Sequence, residues 1–180
     1  MKIQKLLLTA YLLVVSYGAF SDPGISVIKI GNGITKVDFV GNGVPDLIIS
    51  GHRENFNAHS FEVVSFYIPV ENNWNIVPIF ENDKEKLQIT VSGGADCLLH
   101  DFRLIKSDPK KSATLIIADR EMGDSYADQA TVVFTYYTLV RREEVGSPHY
   151  GFEKSRTQTA AVKYCDVGEA FKNELSIGTR

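Results

Sequence analysis

The chain has 180 residues, with 19 Lys and Arg against 22 Asp and Glu and a formal net charge of −3. That balance draws no phosphate backbone, and no basic stripe interleaves with aromatics, which argues against nucleic-acid binding. Only two cysteines occur, neither in a C-x-x-C, which leaves structural zinc and dithiol redox chemistry without support.

Residues 1–21 read as a secretory leader. Lys2 and Lys5 form a basic start, residues 6–15 are apolar, and Ser16, Gly18, Ala19 and Ser21 offer small residues for cleavage. The apolar run is too short to cross a hydrocarbon core of roughly 30 Å as a helix. An exported chain with no transmembrane anchor after processing is expected, and residues 22–180 suit one domain. Removing Lys2 and Lys5 takes the formal charge from −3 to −5.

The mature region is read mainly as short strands, at 25–30, 34–40, 47–50, 61–69, 74–80, 87–92, 99–105, 112–118, 130–140, 150–154 and 159–164. The stretch VENN joins the fourth and fifth of these and predicts a hairpin. ATVVFTYYTLV at 130–140 is rich in β-branched and aromatic residues, as a strand should be. One helix is predicted in CDVGEAFKNEL. Asp166 caps it, Glu169 stands three residues on, and Val167, Ala170, Phe171 and Leu175 share a face. The expected fold is therefore mainly β, a β-sandwich or strongly bent antiparallel sheet with a C-terminal helix. Outside the cytosol, Cys97 and Cys165 are expected to form a disulfide that ties this helix to the middle of the sheet.

VDFVGNGVPDLIISG at 37–51 raises the question of a cation. Calcium wants several converging oxygens. Asp38, Asn42 and Asp46 fall at positions one, five and nine of a calcium-loop spacing, but position three is Val40 and position twelve is Ile49. The stretch also resembles one repeat of integrin-like propellers, over about a dozen residues and in a single copy. Two readings stand: a calcium site on Asp38, Asn42 and Asp46, or a tight turn of Gly41, Asn42 and Gly43 with Asp46 capping local backbone donors.

A polar loop with His52, Arg53, Glu54, Asn57 and His59 is a candidate ligand surface. His100 and Asp101, with Asp96 nearby, form a second candidate beside Cys97. The acidic segment with Asp119, Glu121, Asp124 and Asp128 reads as a solvated loop. No G-x-S-x-G elbow, K-T-G or dense histidine cluster occurs, so no catalytic residue is assigned. Apart from calcium, no cofactor is expected.

Three blocks, GADCLLHDFRL at 94–104, LIIADREMGDSYADQATVVFTYYTL at 115–139 and YCDVGEAF at 164–171, together with VGNGVPDLIISG, resemble the CarG family of carbapenem intrinsic resistance proteins. The resemblance implies a periplasmic protein that protects against a carbapenem without hydrolysing it, and the missing catalytic motifs favour binding the β-lactam or shielding a cell-wall target protein over turnover. It carries no catalytic residues. The competing expectations are a calcium-stabilised interaction domain and a periplasmic hydrolase built on the 52–59 loop with Asp96, His100 or Asp101. A homodimer is expected from the aromatics left over by the core.

Overall fold

The computed structural model describes residues 24–57, 59–81, 84–94 and 96–180. The leader expected at 1–21 lies outside them. The elements are β1 (Ser26–Val27), β2 (Gly33–Val37), β3 (Asp46–Arg53), β4 (Phe61–Val70), β5 (Asn73–Ile76), β6 (Ile79–Glu81), β7 (Lys84–Lys86), β8 (Ile89–Gly93), β9 (Leu98–Lys106), β10 (Thr114–Arg120), β11 (Val132–Arg141), β12 (Tyr150–Thr159) and α1 (Val167–Leu175).

All strands join one open sheet in the order β2-β3-β4-β8-β9-β10-β11-β12-β6-β7, with β1 added to β9 and β5 to β4. The sheet bends back on itself. Phe39, Ile48, Val64, Phe66, Phe102, Leu104, Leu115 and Phe152 meet in one buried cluster. Alternation explains how β10 serves two layers: Leu115 and Ile117 face that cluster, while Ile116 and Ala118 face a second. The second cluster is roofed by Val167, Ala170 and Phe171 of α1. Complete burial of Phe171 contributes about 1.5–3 kcal/mol. The expected bent, β-rich single domain with a C-terminal helix is the observed one.

The helix starts where the capping residues place it. The Asp166 carboxylate accepts from the backbone N–H of Gly168 (2.7 Å) and Glu169 (3.2 Å). Its other oxygen accepts from Leu98 N–H at 2.9 Å, so one cap also ties the helix to β9. Cys97 and Cys165 are disulfide-bonded, with Cα atoms 5.6 Å apart.

Local differences from the sequence reading have local causes. The strand expected at 74–80 breaks into β5 and β6 at Val77 and Pro78, because proline carries no N–H for a ladder. The VENN hairpin is present, with Glu71 in a left-handed turn conformation (φ 54°). The strand expected at 159–164 is absent: β12 runs to Thr159, and Tyr164 makes only an isolated bridge to Ala130. β7, Lys-Glu-Lys, carries no apolar alternation and was invisible to pattern reading. β3 extends through His52 and Arg53, which were expected in a loop.

Candidate functional site

The glycine kink turns its oxygens on its own backbone. Asp38 accepts from the N–H of Gly41 (2.5 Å), Asn42 (3.2 Å) and Gly43 (2.8 Å). Asp46 Oδ2 accepts from Phe39 N–H (2.9 Å) and Val40 N–H (3.0 Å), and the Asn42 side chain accepts from Val44 N–H (2.9 Å). The Lys106 ammonium donates to the main-chain oxygens of Asp38 and Pro109, both at 2.7 Å. A lysine thus supplies the positive charge at the kink. Gly41 has φ +87°, and a Cβ there would stand 2.6 Å from the Lys111 carbonyl carbon, which fixes glycine at the turn.

Burial opposes ionisation of both kink carboxyls, with different outcomes. In Asp38 the Gly43 and Gly41 N–H groups and Lys106 outweigh it and hold the carboxyl below its ordinary value. Asp46 is 1% exposed, one of its oxygens lacks a hydrogen-bond partner, and burial pushes it up to about 6. Folding therefore favours the protonated form. The Asp46 contribution is present in full below its unfolded value near 3.8 and is lost as pH rises through 6. Unfolding titrations of wild type and Asp46→Asn should diverge accordingly. The wild type should lose up to about 3 kcal/mol relative to the variant between pH 4 and 7; parallel profiles would contradict the assignment.

The residues proposed at 52–59 mostly engage one another. His52 pairs with Glu54 at 3.5 Å, Glu54 accepts from Phe56 N–H at 2.6 Å, and Asn57 accepts from His59 N–H at 2.9 Å. Arg53 lies over the Phe61 ring, 5.2 Å from its centroid, and the His59 ring lies 5.4 Å from Tyr126.

His100 and Asp101 are consecutive strand residues and separate to opposite faces. Asp101 is buried, and its carboxylate accepts from Arg103 and from Arg180 Nε (3.0 Å). Arg180 also grips Glu62 with both terminal nitrogens, at 3.0 and 2.5 Å, and Ser50 donates to the same carboxylate. Arg103 adds Gly178 O at 2.8 Å and stacks over Phe171 at 4.4 Å. This network binds β3, β4, β9 and the segment after α1 together. Its groups face one another, which marks it as structural.

The acidic segment is organised by a cation. Arg120 is 7% exposed and its guanidinium donates to main-chain oxygens of Asp128, Met122 and Ser125. Asp128 accepts from Ser125 N–H at 2.6 Å. Among the described residues, no group of three or more His, Cys, Asp or Glu stands ready to hold a metal ion.

His100 lines a cleft of about 530 Å³ between β6–β7 and β8–β10. Its Nδ1 contacts the carboxylate of Asp119, its cross-strand partner on β10. The opposite wall holds the Lys86–Glu81 ion pair. The floor is apolar, with Ile79, Ile89 and Ile117. Tyr137 lines the cleft although it is only 2% exposed, and burial first, then Glu81 and Asp119, push its hydroxyl far above the ordinary phenol value. It stays a proton donor. Asp119, Tyr137, Lys86 and Glu81 were not read as partners of His100 in the sequence. Alternating residues at 117 and 119 on β10 would have placed Asp119 on a strand face, but no local signal sets it beside His100.

A family model described as carbapenem resistance protein CarG-like matches residues 30–173. The chain belongs to this CarG-like family. A solved structure described as the crystal structure of CarG is similar in fold, with a TM-score of 0.71 and 25% identity over 86% of this chain and 99% of that one. No curated protein sequence matches. In this CarG-like chain the matched span contains the kink, the cleft and both cysteines, whereas Arg180 lies beyond it.

Proposed function

We propose that this protein confers carbapenem tolerance in the periplasm by binding the antibiotic or protecting its target, without turnover. Membership of the CarG-like family over residues 30–173 carries the reading. The Cys97–Cys165 disulfide supports an oxidising compartment. Expression of the full chain in a sensitive bacterium should raise the carbapenem concentration that inhibits growth at least four-fold. Good periplasmic expression with no rise would contradict the proposal.

One observation favours a hydrolase as second reading. Ser92 pairs across the sheet with His100, which pairs in turn with Asp119, and all three line the cleft. This is the order of an acyl-transfer triad, but no hydrogen bond joins Ser92 to His100 among the described residues. Ring absorbance of a carbapenem mixed with purified protein separates the readings. A steady decline abolished by Ser92→Ala supports the hydrolase, and constant absorbance supports binding or protection.

A further inference from the structure

We infer that the cleft between β6–β7 and β8–β10 is the binding site for a compact small molecule whose carboxylate is held by Tyr137, Lys86 and His100. The inference rests on the proposed function, and takes the direct-binding branch of it, with the carbapenem acid as ligand.

Size comes first. About 530 Å³ is within the range of cavities that enclose small organic ligands. The isoleucine floor suits the hydrocarbon side of a fused ring system, and its three side chains come from three different strands, β6, β8 and β10.

The donors come next. Tyr137 O–H has no hydrogen-bond acceptor among the described residues, although its ring is buried. A donor in that position gains from any ligand oxygen that enters. Nδ1–H of His100 donates to Asp119, which fixes the ring, and in the imidazolium form Nε2–H is left to donate to a ligand carboxylate. Lys86 is already paired with Glu81 at the rim, where its side chain is 58% exposed. An exposed pair of this kind is weak, and its ammonium can share a second carboxylate at little cost. Glu81 and Asp119 offset the cations, so the cleft as a whole is not strongly cationic. Recognition then depends on donor placement and ring shape, which would favour the acid of one scaffold over a generic anion.

Titration calorimetry with the mature, oxidised protein tests the assignment. The probes are a carbapenem free acid and the methyl ester of the same compound. The acid should bind, and the ester should bind at least ten-fold more weakly. Tyr137→Phe and Lys86→Met should each weaken the acid by about ten-fold, the scale of a hydrogen bond to a charged group. Lys36→Met, on exposed β2 far along the sheet order, should leave it unchanged. Melting curves of Tyr137→Phe matched to wild type show that any loss is not unfolding. Binding of the acid that persists through both cleft variants would overturn the site and leave the binding reading intact. No binding by the wild type, with tolerance still conferred in cells, would overturn the site and direct binding together and leave target protection.

Discussion

Asp101→Ala should lower the unfolding free energy by about 3–5 kcal/mol, the largest loss expected from any single side chain described above. The physical reason is asymmetric. Asp101 is 4% exposed and Arg103 is 2% exposed, so their charges are out of water. Without the carboxylate, Arg103 keeps only the main-chain oxygens of Phe102 (2.7 Å) and Gly178 (2.8 Å). A guanidinium left in that position is not repaid by two carbonyls. Replacing both partners with apolar groups, as in Asp101→Leu with Arg103→Met, should be milder, because no buried charge remains. Denaturant titration of the three proteins gives the comparison. The control is Asp119→Ala, whose half-exposed carboxylate pairs with His100 at the cleft rim and should cost less than about 1 kcal/mol. Equal losses for Asp101→Ala and Asp119→Ala would refute this account. The network also carries a pH signature opposite to that of Asp46. Burial raises the Glu62 carboxyl, but Arg180 and Ser50 outweigh it and hold the value low. Its stabilisation is present above the unfolded value and is lost as pH falls.

Removal of the disulfide by Cys97→Ala with Cys165→Ala should cost about 4 kcal/mol, from closing a loop of 68 residues in the unfolded chain. The cross-link joins the β8–β9 turn to the start of α1. Asp166 reinforces the same junction by capping α1 and accepting from Leu98 N–H. Asp166→Ala alone should therefore cost about 1–2 kcal/mol. Unfolding monitored by circular dichroism, oxidised against reduced, measures the disulfide directly. A loss below about 1 kcal/mol would mean that the unfolded chain is already confined by other means.

How much of this was readable in advance depended on range. Asp166 and its helix, the 71–72 hairpin and the β11 strand rest on contacts between near neighbours, and local chemistry specifies them. The cysteine pair was readable because only two sulfurs exist. Proline at 78 should have split the predicted 74–80 strand, and the tendency of Val77 and Ile79 to extend masked it. The site was harder. His100 and Asp101 looked like partners because they adjoin in sequence, yet strand geometry sends adjacent side chains to opposite faces. Their true partners, Asp119 and Arg180, are fixed by sheet register and by the course of the chain after α1. The kink showed the reverse case. Its spacing matches part of a calcium loop, while a lysine distant in sequence, Lys106, reaches the main-chain oxygen of Asp38.

The single parallel rung among the described pairings sets Phe152 and Glu153 of β12 beside Ile79 and Phe80 of β6. Antiparallel neighbours can zip from a turn, but this pair must wait for two remote stretches of polypeptide to find each other. The β6–β7 flap is thus the natural late arrival in assembly. Since that flap supplies Ile79, Glu81 and Lys86 to one wall of the cleft, occupancy by a small molecule would tether it. Amide exchange at residues 79–81 would then slow well before the rest of the sheet registers any change.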